Sequence, residues 1–560
     1  DLCFYTVYGC GAGDHHGSLS ARAMAVDVSN GRILKESVYG YPHGIMKESL
    51  PTGRKLEPGT ALQEPRDYLD AWQFLIQDMF KDKELRADQA VGIGIDFTQC
   101  TMMPVDREGI PLCMHTEFRD DPHSYVKLWM HHHAQKEADD ITREAGLRQE
   151  RFLKYYGSKI SSELLFPKIL EILRQSPDIY QAADQFVEGA DWMTWQITGT
   201  RMRSKSIAAV AALWQEEEGY PSDDFLRALH PEMPDVKQKL RGKLVKPGTC
   251  IGGISKEMSD KTGLPAGTPV ACGLGDSHSA FAGSGLCSEG AMLMVIGTSG
   301  CDILISRNQI PVEGFCGICP DSAIPGYYAY EAGQACMGDH FQWFMENCLP
   351  AACREEAAGR NMSVFQWMDE KAGRLKPGSS GVIALDWWNG CRSVLMDSDL
   401  GGCLFGMTLQ TRPEEIYRAL MEGIAFGKRM IIEQMEMAGV RCRQLYATGG
   451  VAQKNPLIMQ IMADVLGREI RVPVIANGSC MGSAMFGAVA AGRKGGGYDT
   501  IEEAVEAMGP PVGKIYIPDQ SALAAYDVLF QMYREMYLYM GNSSMLKRLA
   551  AMRGKEESTL

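Results

Sequence analysis

The sequence predicts an α/β fold, because apolar runs of strand length alternate with helical periodicity along the whole chain. Three runs, at 91–95, 269–274 and 444–447, are apolar enough to be buried strands. The chain has 560 residues, which is more than one hydrophobic core usually organises. Two or three domains are therefore expected.

Each of the three predicted strands ends on small or polar residues. Asp96 follows the first, Asp276 follows the second, and Gly449 and Gly450 follow the third. Ligands of open α/β sheets lie outside the carboxyl ends of strands, so these ends are expected to line a site. Asp276 also opens a predicted helix, whose dipole would keep a general base ionised. A simple helix N-cap is the alternative for Asp276.

Two turns that combine glycine with hydroxyl residues occupy similar positions in the two halves of the chain. One lies at 17–20, before a predicted strand at 23–28. The other lies at 297–300, between predicted strands at 291–296 and 301–305. Glycine lets backbone amides converge on a phosphate, although plain hairpin turns are the alternative. The symmetry predicts a duplicated domain with a cleft between the copies.

The domain boundary is expected in a stretch rich in glycine and serine at 285–290. The predicted domains are therefore 1–286 and 287–540, followed by a polar tail at 541–560.

The glycine pair after the third strand leads into a well-marked helix. Asn455 is a favourable N-cap, with Pro456 in the first helical position. Backbone without side chains at Gly449 and Gly450 would let a base or a phosphate lie against it. A plain strand-to-helix turn is the alternative.

Two further patterns predict structure rather than chemistry. Thr411 and Glu414 have the spacing of a capping box, and Gly439 is expected to end the helix that follows. Three consecutive histidines lie at 131–133. On a helix they would point in different directions, so they do not predict a metal site.

Composition excludes several classes of function. The net charge of −14 argues against broad binding to nucleic acid or to anionic membranes. Residues 1–17 lack the pattern of a signal peptide, and no apolar run reaches the roughly 20 residues of a membrane span. The 17 cysteines are mostly scattered, which is typical of reduced thiols in the cytoplasm. Cys316 and Cys319 form a C-x-x-C pair without other ligands at zinc spacing.

Several blocks, in order, resemble the FGGY family of carbohydrate kinases. The family signature is matched by Gly402, Leu404, Gly406 and Met407, followed by 415–416 and 419–422. Further matching blocks lie at 96–98, 121–129, 159–163, 331–334 and 386–390. The resemblance covers roughly 17–540, so it is far more specific than any single motif.

The resemblance implies two actin-like (ribonuclease H-like) domains with a central cleft. It implies that ATP, with Mg²⁺, phosphorylates a ketopentose, with L-ribulose in L-arabinose catabolism as the first expectation. Another ketose such as D-ribulose or xylulose, a polyol, and a catalytically impaired homologue that still binds ATP and sugar are left open. The expected partners are the sugar and ATP, without nucleic acid or membrane, and a homodimer is left open.

The resemblance also assigns roles to individual residues. Asp276 would be the catalytic base and would share the metal ion with Asp14. The sugar would contact Asp96, Lys127, Trp129 and Glu331. The phosphates of ATP would lie on Gly17, Ser18, Gly297, Thr298 and Ser299, and its adenosine on Gly449, Gly450 and Asn455.

The sequence departs from the family pattern at two places. The family usually has Asp-Phe-Gly-Thr at the first turn, whereas this chain has His15 and His16 before Gly17, and Asp14 stands one place early. A one-residue shift turns a strand side chain to the opposite face, so Asp14 is expected to substitute poorly. At the second place, Ala211 stands where similar members that act on ribulose carry lysine.

Overall fold

The computed structural model describes residues 2–8, 18–82 and 84–556. It has an α/β architecture, as predicted. None of the described helices is both long enough and apolar enough to cross a lipid bilayer.

The strands of the described residues are, in chain order, β1 (Leu2–Tyr8), β2 (Ser20–Asp27), β3 (Ile33–Gly40), β4 (Leu62–Gln63), β5 (Ala90–Phe97), β6 (Met102–Val105), β7 (Val126–Lys127), β8 (Gln185–Glu188), β9 (Met202–Ser204), β10 (Lys243–Val245), β11 (Cys250–Gly253), β12 (Pro269–Ala271), β13 (Leu274–Gly275), β14 (Ala291–Ile296), β15 (Gly300–Ser306), β16 (Gly317–Pro320), β17 (Tyr328–Gln334), β18 (Ile383–Leu385), β19 (Cys403–Phe405), β20 (Gln444–Thr448), β21 (Ile470–Pro473) and β22 (Val512–Tyr516).

The α-helices of the described residues are α1 (Arg66–Phe80), α2 (Gln135–Arg148), α3 (Leu165–Gln175), α4 (Pro177–Ala182), α5 (Gly189–Thr198), α6 (Lys205–Ala211), α7 (Asp223–Leu229), α8 (Val236–Lys239), α9 (Lys256–Thr262), α10 (Asp276–Gly283), α11 (Gly338–Asn347), α12 (Ala351–Gly359), α13 (Val364–Gly373), α14 (Pro413–Met437), α15 (Gly450–Lys454), α16 (Pro456–Leu466), α17 (Gly478–Ala491), α18 (Ile501–Met508), α19 (Gln520–Asn542) and α20 (Ser544–Glu556).

Two large sheets repeat the same topology. The first has the order β3-β2-β1-β5-β12-β11, with β13 also paired to β5. The second has the order β17-β15-β14-β20-β21-β22, with β16 beyond β17. In both sheets the successive pairings are antiparallel, antiparallel, parallel, parallel and antiparallel. The duplication predicted from the two glycine turns is therefore present in the strand order.

The predicted strands at 91–95 and 444–447 lie within β5 and β20, but the predicted strand at 269–274 is interrupted. It divides into β12 and β13, because Cys272 donates its backbone N–H to the Thr249 carbonyl over 2.9 Å. The short β13 continues the pairing with β5 beyond this break.

The start of α14 differs from the predicted capping box by one residue. Pro413 takes the first helical position, where its missing N–H costs nothing, so Arg412 becomes the N-cap. Glu415, rather than Glu414, accepts the Arg412 backbone N–H over 2.8 Å. Thr411 instead accepts the Thr408 N–H with its hydroxyl over 2.8 Å.

The segment expected to be a polar tail is helical over most of its described length. Helix α19 continues to Asn542, and α20 follows at Ser544–Glu556. Leu546 of α20 is buried, so this helix contributes to the core.

Helix α17 belongs to the second half of the chain but packs on the first sheet. Its sequence is rich in glycine, serine and alanine, so its backbone lies directly against α10 and β5. A Cβ added at Gly482 would lie 1.8 Å from the Ser279 carbonyl oxygen of α10. A Cβ added at Gly94 of β5 would lie 1.8 Å from the Ser483 carbonyl oxygen. Only glycine permits these two approaches.

Replacing Gly482 with alanine should lower the free energy of unfolding by about 1–3 kcal/mol, because the new methyl group overlaps the α10 backbone. Chemical denaturation of the parent and the variant measures the change. Gly146→Ala in α2 is the matched control, since no atom lies within 4 Å of a Cβ there. That control should gain up to about 1 kcal/mol. Equal stability of Gly482→Ala and the parent would contradict the packing described.

Candidate active site

Two carboxylates lie at the carboxyl ends of neighbouring parallel strands. Asp96 lies near the end of β5, opposite Leu274 of β13. Asp276 follows β13 directly and is the first residue of α10. The negative charge of Asp276 acts on Asp96. The structure therefore brings together the first two strand ends that the sequence singled out.

Asp96 is fully buried beneath the surface of this site. Its Oδ2 accepts the Ser483 hydroxyl of α17 over 2.7 Å, and its Oδ1 has no hydrogen-bond partner among the described residues. Burial raises the pKa of Asp96 well above its ordinary value, and Asp276 adds to the shift. Because Asp96 has no exposed surface, its direct contact with a sugar stays a prediction.

Asp276 is only partly buried, so its carboxylate can reach a ligand. Its Oδ1 accepts the backbone N–H of Ser277 over 2.8 Å. Loss of hydration raises the pKa of Asp276 to about 7, and the neighbouring Glu331 adds to the increase. A carboxyl with this pKa can exchange protons near neutral pH, as a general base must.

Glu331 brings a carboxylate from the second half of the chain to the same place. It lies on β17, where its Oε1 accepts an Arg392 guanidinium N–H over 2.9 Å. Its Oε2 lies 4.0 Å from Nε2 of His278 on α10. Burial lowers the pKa of His278 to about 4, so this imidazole is neutral. Three of the predicted site residues, Asp96, Asp276 and Glu331, thus form one cluster.

Two backbone turns lie side by side at one edge of the second sheet. Val295 of β14 pairs with Thr448 of β20 in parallel, so the turn at 297–299 and the Gly449–Gly450 pair both leave that edge. Gly449 has a φ of 98°, and a Cβ there would lie 2.5 Å from the Ile296 carbonyl oxygen. Glycine is therefore required where the two turns approach.

The turn at 297–299 has its carbonyls engaged, and two of its amides are available, since the Gly297 N–H donates to the Ser299 carbonyl over 3.0 Å. The carbonyls of Gly297 and Thr298 accept the backbone N–H groups of Gly338 and Met337, over 3.0 and 2.7 Å. Within 18–82 and 84–556, the Thr298 and Ser299 amides donate to no backbone carbonyl. Unused amides beside a glycine are what a phosphate group needs.

Asn455 is the N-cap of α16, as predicted. Its side-chain oxygen accepts the Leu457 and Ile458 N–H groups over 3.1 and 3.2 Å. Its side-chain nitrogen donates to both oxygens of Asp369, over 3.1 and 3.2 Å. Since these bonds engage both polar atoms of the side chain, contact between Asn455 and adenosine stays a prediction.

At the first turn, Trp129 lies beside Ser18. The indole Nε1 of Trp129 donates to the Ser18 hydroxyl over 3.2 Å, and the residue is 38% exposed. A partly exposed ring is available to a sugar. The other residues predicted for this turn lie outside the described residues: Asp14, His15, His16 and Gly17.

Lys127 has a buried partner. Its ammonium lies 2.8 Å from Glu171 Oε2, and the two side chains are 1% and 0% exposed. His131 and His133 contact the same carboxylate. These cationic and N–H partners hold the pKa of Glu171 far below its usual range despite burial. Lys127 therefore lies in a neutralised buried cluster, and its contact with a sugar stays a prediction.

The histidine run lies before α2 rather than on it, which corrects the helical placement assumed from sequence. This explains how His131 and His133 converge on Glu171, with ligand-type atoms within 4.8 Å of one another. However, His131 Nδ1 accepts the Ala61 N–H over 3.2 Å, so its Nε2 carries the proton and donates to Glu171. Lys127 already supplies the positive charge. The cluster does not favour a metal ion.

The remaining predicted features have ordinary surroundings. Cys316 lies 3.9 Å from the Ser393 hydroxyl oxygen, whereas Cys319 donates to the Ala209 carbonyl over 3.2 Å, so the two sulfurs have separate partners. The cysteines from Cys100 to Cys480 are free thiols. Ala211, the last residue of α6, is 1% exposed.

Comparison with known proteins identifies the family. Residues 15–283 match the N-terminal domain of the FGGY family of carbohydrate kinases, and residues 292–491 match its C-terminal domain. A Bacillus licheniformis protein named ribulokinase is 46% identical over 534 residues, which is 95% of this chain and 97% of that protein. A ribulokinase of Halalkalibacterium halodurans is 44% identical, with 97% of each chain covered.

The chain belongs to the FGGY family of carbohydrate kinases. It is therefore a phosphotransferase with an alcohol group as acceptor. The fold agrees with solved structures, among them a gluconate kinase from Lactobacillus acidophilus and a xylulose kinase from Rhodospirillum rubrum. Their TM-scores are 0.78 and 0.77, at 18% and 20% identity, and both comparisons cover 96% of this chain and 99% of the other.

The structure of this FGGY kinase adds residues that sequence reasoning missed. Ser483 reaches Asp96 from a helix far along the chain. His278 and Arg392 lie beside Glu331, and Gln99 hydrogen-bonds to His278. His278 stands two places after Asp276, one clue that was visible in the sequence. The other contacts depend on tertiary packing, which no local pattern reports.

The pKa of Asp276 predicts a pH dependence of stability in the ligand-free kinase. The pKa of Asp276 is about 7 in the folded state and 3.8 in the unfolded chain. Between these two pH values the folded state therefore keeps a proton that the unfolded state has released. The stabilisation is full below pH about 4 and is lost as pH rises to about 7. Asp276→Asn should therefore gain stability relative to the parent across this interval.

Denaturant unfolding at several pH values tests this expectation. Asp27→Asn is the control, because hydrogen bonds from Ser29 lower the pKa of Asp27. The stability that Asp27 contributes is lost only below that interval. The difference in free energy of unfolding between Asp27→Asn and the parent should therefore stay level from pH about 4 to 7. A level difference for Asp276→Asn as well would contradict the raised pKa.

Proposed function

We propose that this kinase transfers the γ-phosphoryl group of ATP to the terminal hydroxyl of a ketopentose, and that the ketopentose is L-ribulose. Support for the substrate comes from the relatives named ribulokinase, which align over nearly their whole length. Support for the chemistry comes from one observation: Asp276 combines a partly open position, a pKa of about 7 and the adjacent Glu331.

Asp276 would act as the general base. As the sugar oxygen forms its bond to phosphorus, the hydroxyl proton passes to the Asp276 carboxylate and the bond to the ADP oxygen breaks. Glu331 would accept hydrogen bonds from sugar hydroxyls and thereby set the direction of the attacking oxygen. Because the two carboxylates come from different halves of the chain, both can contact the sugar only when the halves enclose it.

The two backbone turns of the second sheet would hold ATP. The amides of Thr298 and Ser299 are available for the phosphates, and Gly449 and Gly450 would offer adenosine a stretch of backbone without side chains. Water competes with the sugar for the phosphoryl group, so enclosure of the site should precede transfer.

The carboxylates suit a magnesium ion as well. Asp276 and the unpartnered Oδ1 of Asp96 offer the oxygen ligands that Mg²⁺ prefers, and Asp14 is a further predicted ligand. A bound Mg²⁺ would neutralise phosphate charge during transfer.

The free thiols support a reducing compartment such as the cytoplasm. A homodimer stays a prediction, which sedimentation analysis can test.

An ADP-coupled assay with a panel of ketoses and polyols tests the proposal. L-Ribulose should give the highest kcat/KM, ahead of D-ribulose, xylulose and polyols. Asp276→Ala should lower turnover by roughly 10²–10⁴-fold while the variant stays folded and binds ATP about as well as the parent does. A higher kcat/KM for another sugar would overturn the substrate. Turnover of the variant within a few-fold of the parent would leave Asp276 as an N-cap only.

The first turn yields a separate expectation from sequence. His15 cannot supply the anionic oxygen that aspartate supplies at this place in the family, so magnesium dependence should be weak. Replacing His15 with Asp and His16 with Phe should raise turnover and sharpen the response to magnesium. The measurement is turnover against magnesium concentration for the parent, the double variant and Asp14→Ala. Loss of activity in Asp14→Ala, without gain in the double variant, would mean that Asp14 takes this role.

A further inference from the structure

Four polar side chains connect the two halves of the kinase beside Asp276. Gln99 follows β5, His278 lies on α10, Glu331 lies on β17, and Arg392 lies in the loop between β18 and β19. The Gln99 amide nitrogen donates to His278 Nδ1. This leaves the proton of the neutral imidazole on Nε2, which faces Glu331 Oε2 at 4.0 Å.

Of the other three side chains, Arg392 is the one that hydrogen-bonds to the Glu331 carboxylate, which is therefore not saturated. Oε1 accepts the Arg392 N–H over 2.9 Å. The 4.0 Å separation between Oε2 and His278 is too long for a hydrogen bond, so Oε2 can still accept one from a ligand. The Glu331 side chain is 13% exposed, so the carboxylate is accessible although its surroundings are largely dry.

Arg392 has a fixed position and unused donors. Its guanidinium passes over Gly333 of β17, where an added Cβ would lie 3.3 Å from one terminal nitrogen. The next residue, Ser393, accepts the Gly333 N–H with its hydroxyl over 3.2 Å, which attaches the loop to the strand. Among the described residues, Glu331 is the hydrogen-bond partner of Arg392, whose side chain is 32% exposed. Most of its five N–H donors therefore remain available.

We propose that Glu331 and Arg392 act as one pair that binds two neighbouring oxygens of the sugar. Glu331 accepts a hydrogen bond from a hydroxyl group, and Arg392 donates to the adjacent oxygen. His278, supported by Gln99, is a positioning residue whose Nε2–H faces the Glu331 carboxylate. This inference rests on the proposed sugar-kinase function and adds Arg392 to the residues that touch the substrate.

Replacement of Arg392 gives the first test. Arg392→Gln should raise the KM for the sugar about 10- to 100-fold, because a charged hydrogen bond is lost, and should change the KM for ATP less than about twofold. Arg468→Gln is the matched control, since Arg468 is similarly exposed at 34% and pairs with Glu436. The control should leave both KM values unchanged. Unchanged sugar KM in Arg392→Gln, or equal changes for both substrates, would overturn the contact.

A series of singly deoxygenated ketopentoses tests whether the Glu331 and Arg392 side chains contact adjacent oxygens of the sugar. The parent should bind two analogues weakly, those lacking the oxygens next to Glu331 and Arg392. Arg392→Gln should lose its discrimination at one of these positions, and Glu331→Gln should lose part of it at the neighbouring position. If both variants still bind these two analogues more weakly than the full sugar, as the parent does, the pair does not contact these oxygens.

Two replacements of His278 separate positioning from packing. His278→Ala should raise the sugar KM, whereas His278→Gln should restore it, because an amide N–H can take the place of the imidazole Nε2–H. Both variants are compared at matched folded fractions, measured from their unfolding curves. A parent-like sugar KM in His278→Ala, or failure of His278→Gln to improve on it, would overturn the positioning role.

The substrate assignment and the pair can fail independently. If the parent prefers another sugar to L-ribulose, the substrate assignment is wrong. The same variants are then measured with that sugar to test the pair. If it phosphorylates no sugar, calorimetric titration with L-ribulose measures binding directly. Equal affinity of the parent and Arg392→Gln would then overturn the pair.

Discussion

The candidate site depends on the direct backbone contact of α17 with α10 and β5. Glycine at Gly94 and Gly482 allows the helix to approach until main chain meets main chain. That approach places the Ser483 hydroxyl on Asp96 and fixes the helix that begins at Asp276. A larger side chain at either glycine would overlap this backbone contact, so small residues outside the carboxylate cluster determine how Ser483 and α10 are placed.

Two buried carboxylates, Glu171 and Asp96, have pKa values shifted in opposite directions. Glu171 is surrounded by Lys127, His131 and His133, and its pKa lies far below its usual range. Asp96 is equally buried but has one hydroxyl partner, and its pKa is raised. Between Glu171 and Asp96 the difference is the set of cationic and N–H partners around Glu171, since burial alone favours the neutral acid. Glu171 is therefore ionised beside its partners, whereas the raised pKa values of Asp96 and Asp276 favour their neutral forms.

Local patterns predicted much of the fold and part of the site. Apolar runs located β5 and β20 because buried parallel strands are apolar on both faces, and the strand-end rule located Asp96 and Asp276. Patterns failed where distant residues meet. Ser483 lies 387 positions from Asp96, and Glu171 lies 40 from His131. The pairing of Lys127 could not be read from sequence, because partner choice depends on how the sheets and helices pack.

The crossing of α17 onto the first sheet also constrains biosynthesis. A ribosome releases the chain from its amino end, so the strands of the first sheet emerge long before residues 478–491. Until then β5 has no helix against Gly92 and Gly94, and its backbone-lined groove remains open. The nascent first half therefore cannot complete its core alone. Separate expression of residues 1–286 would leave this groove without its natural cover.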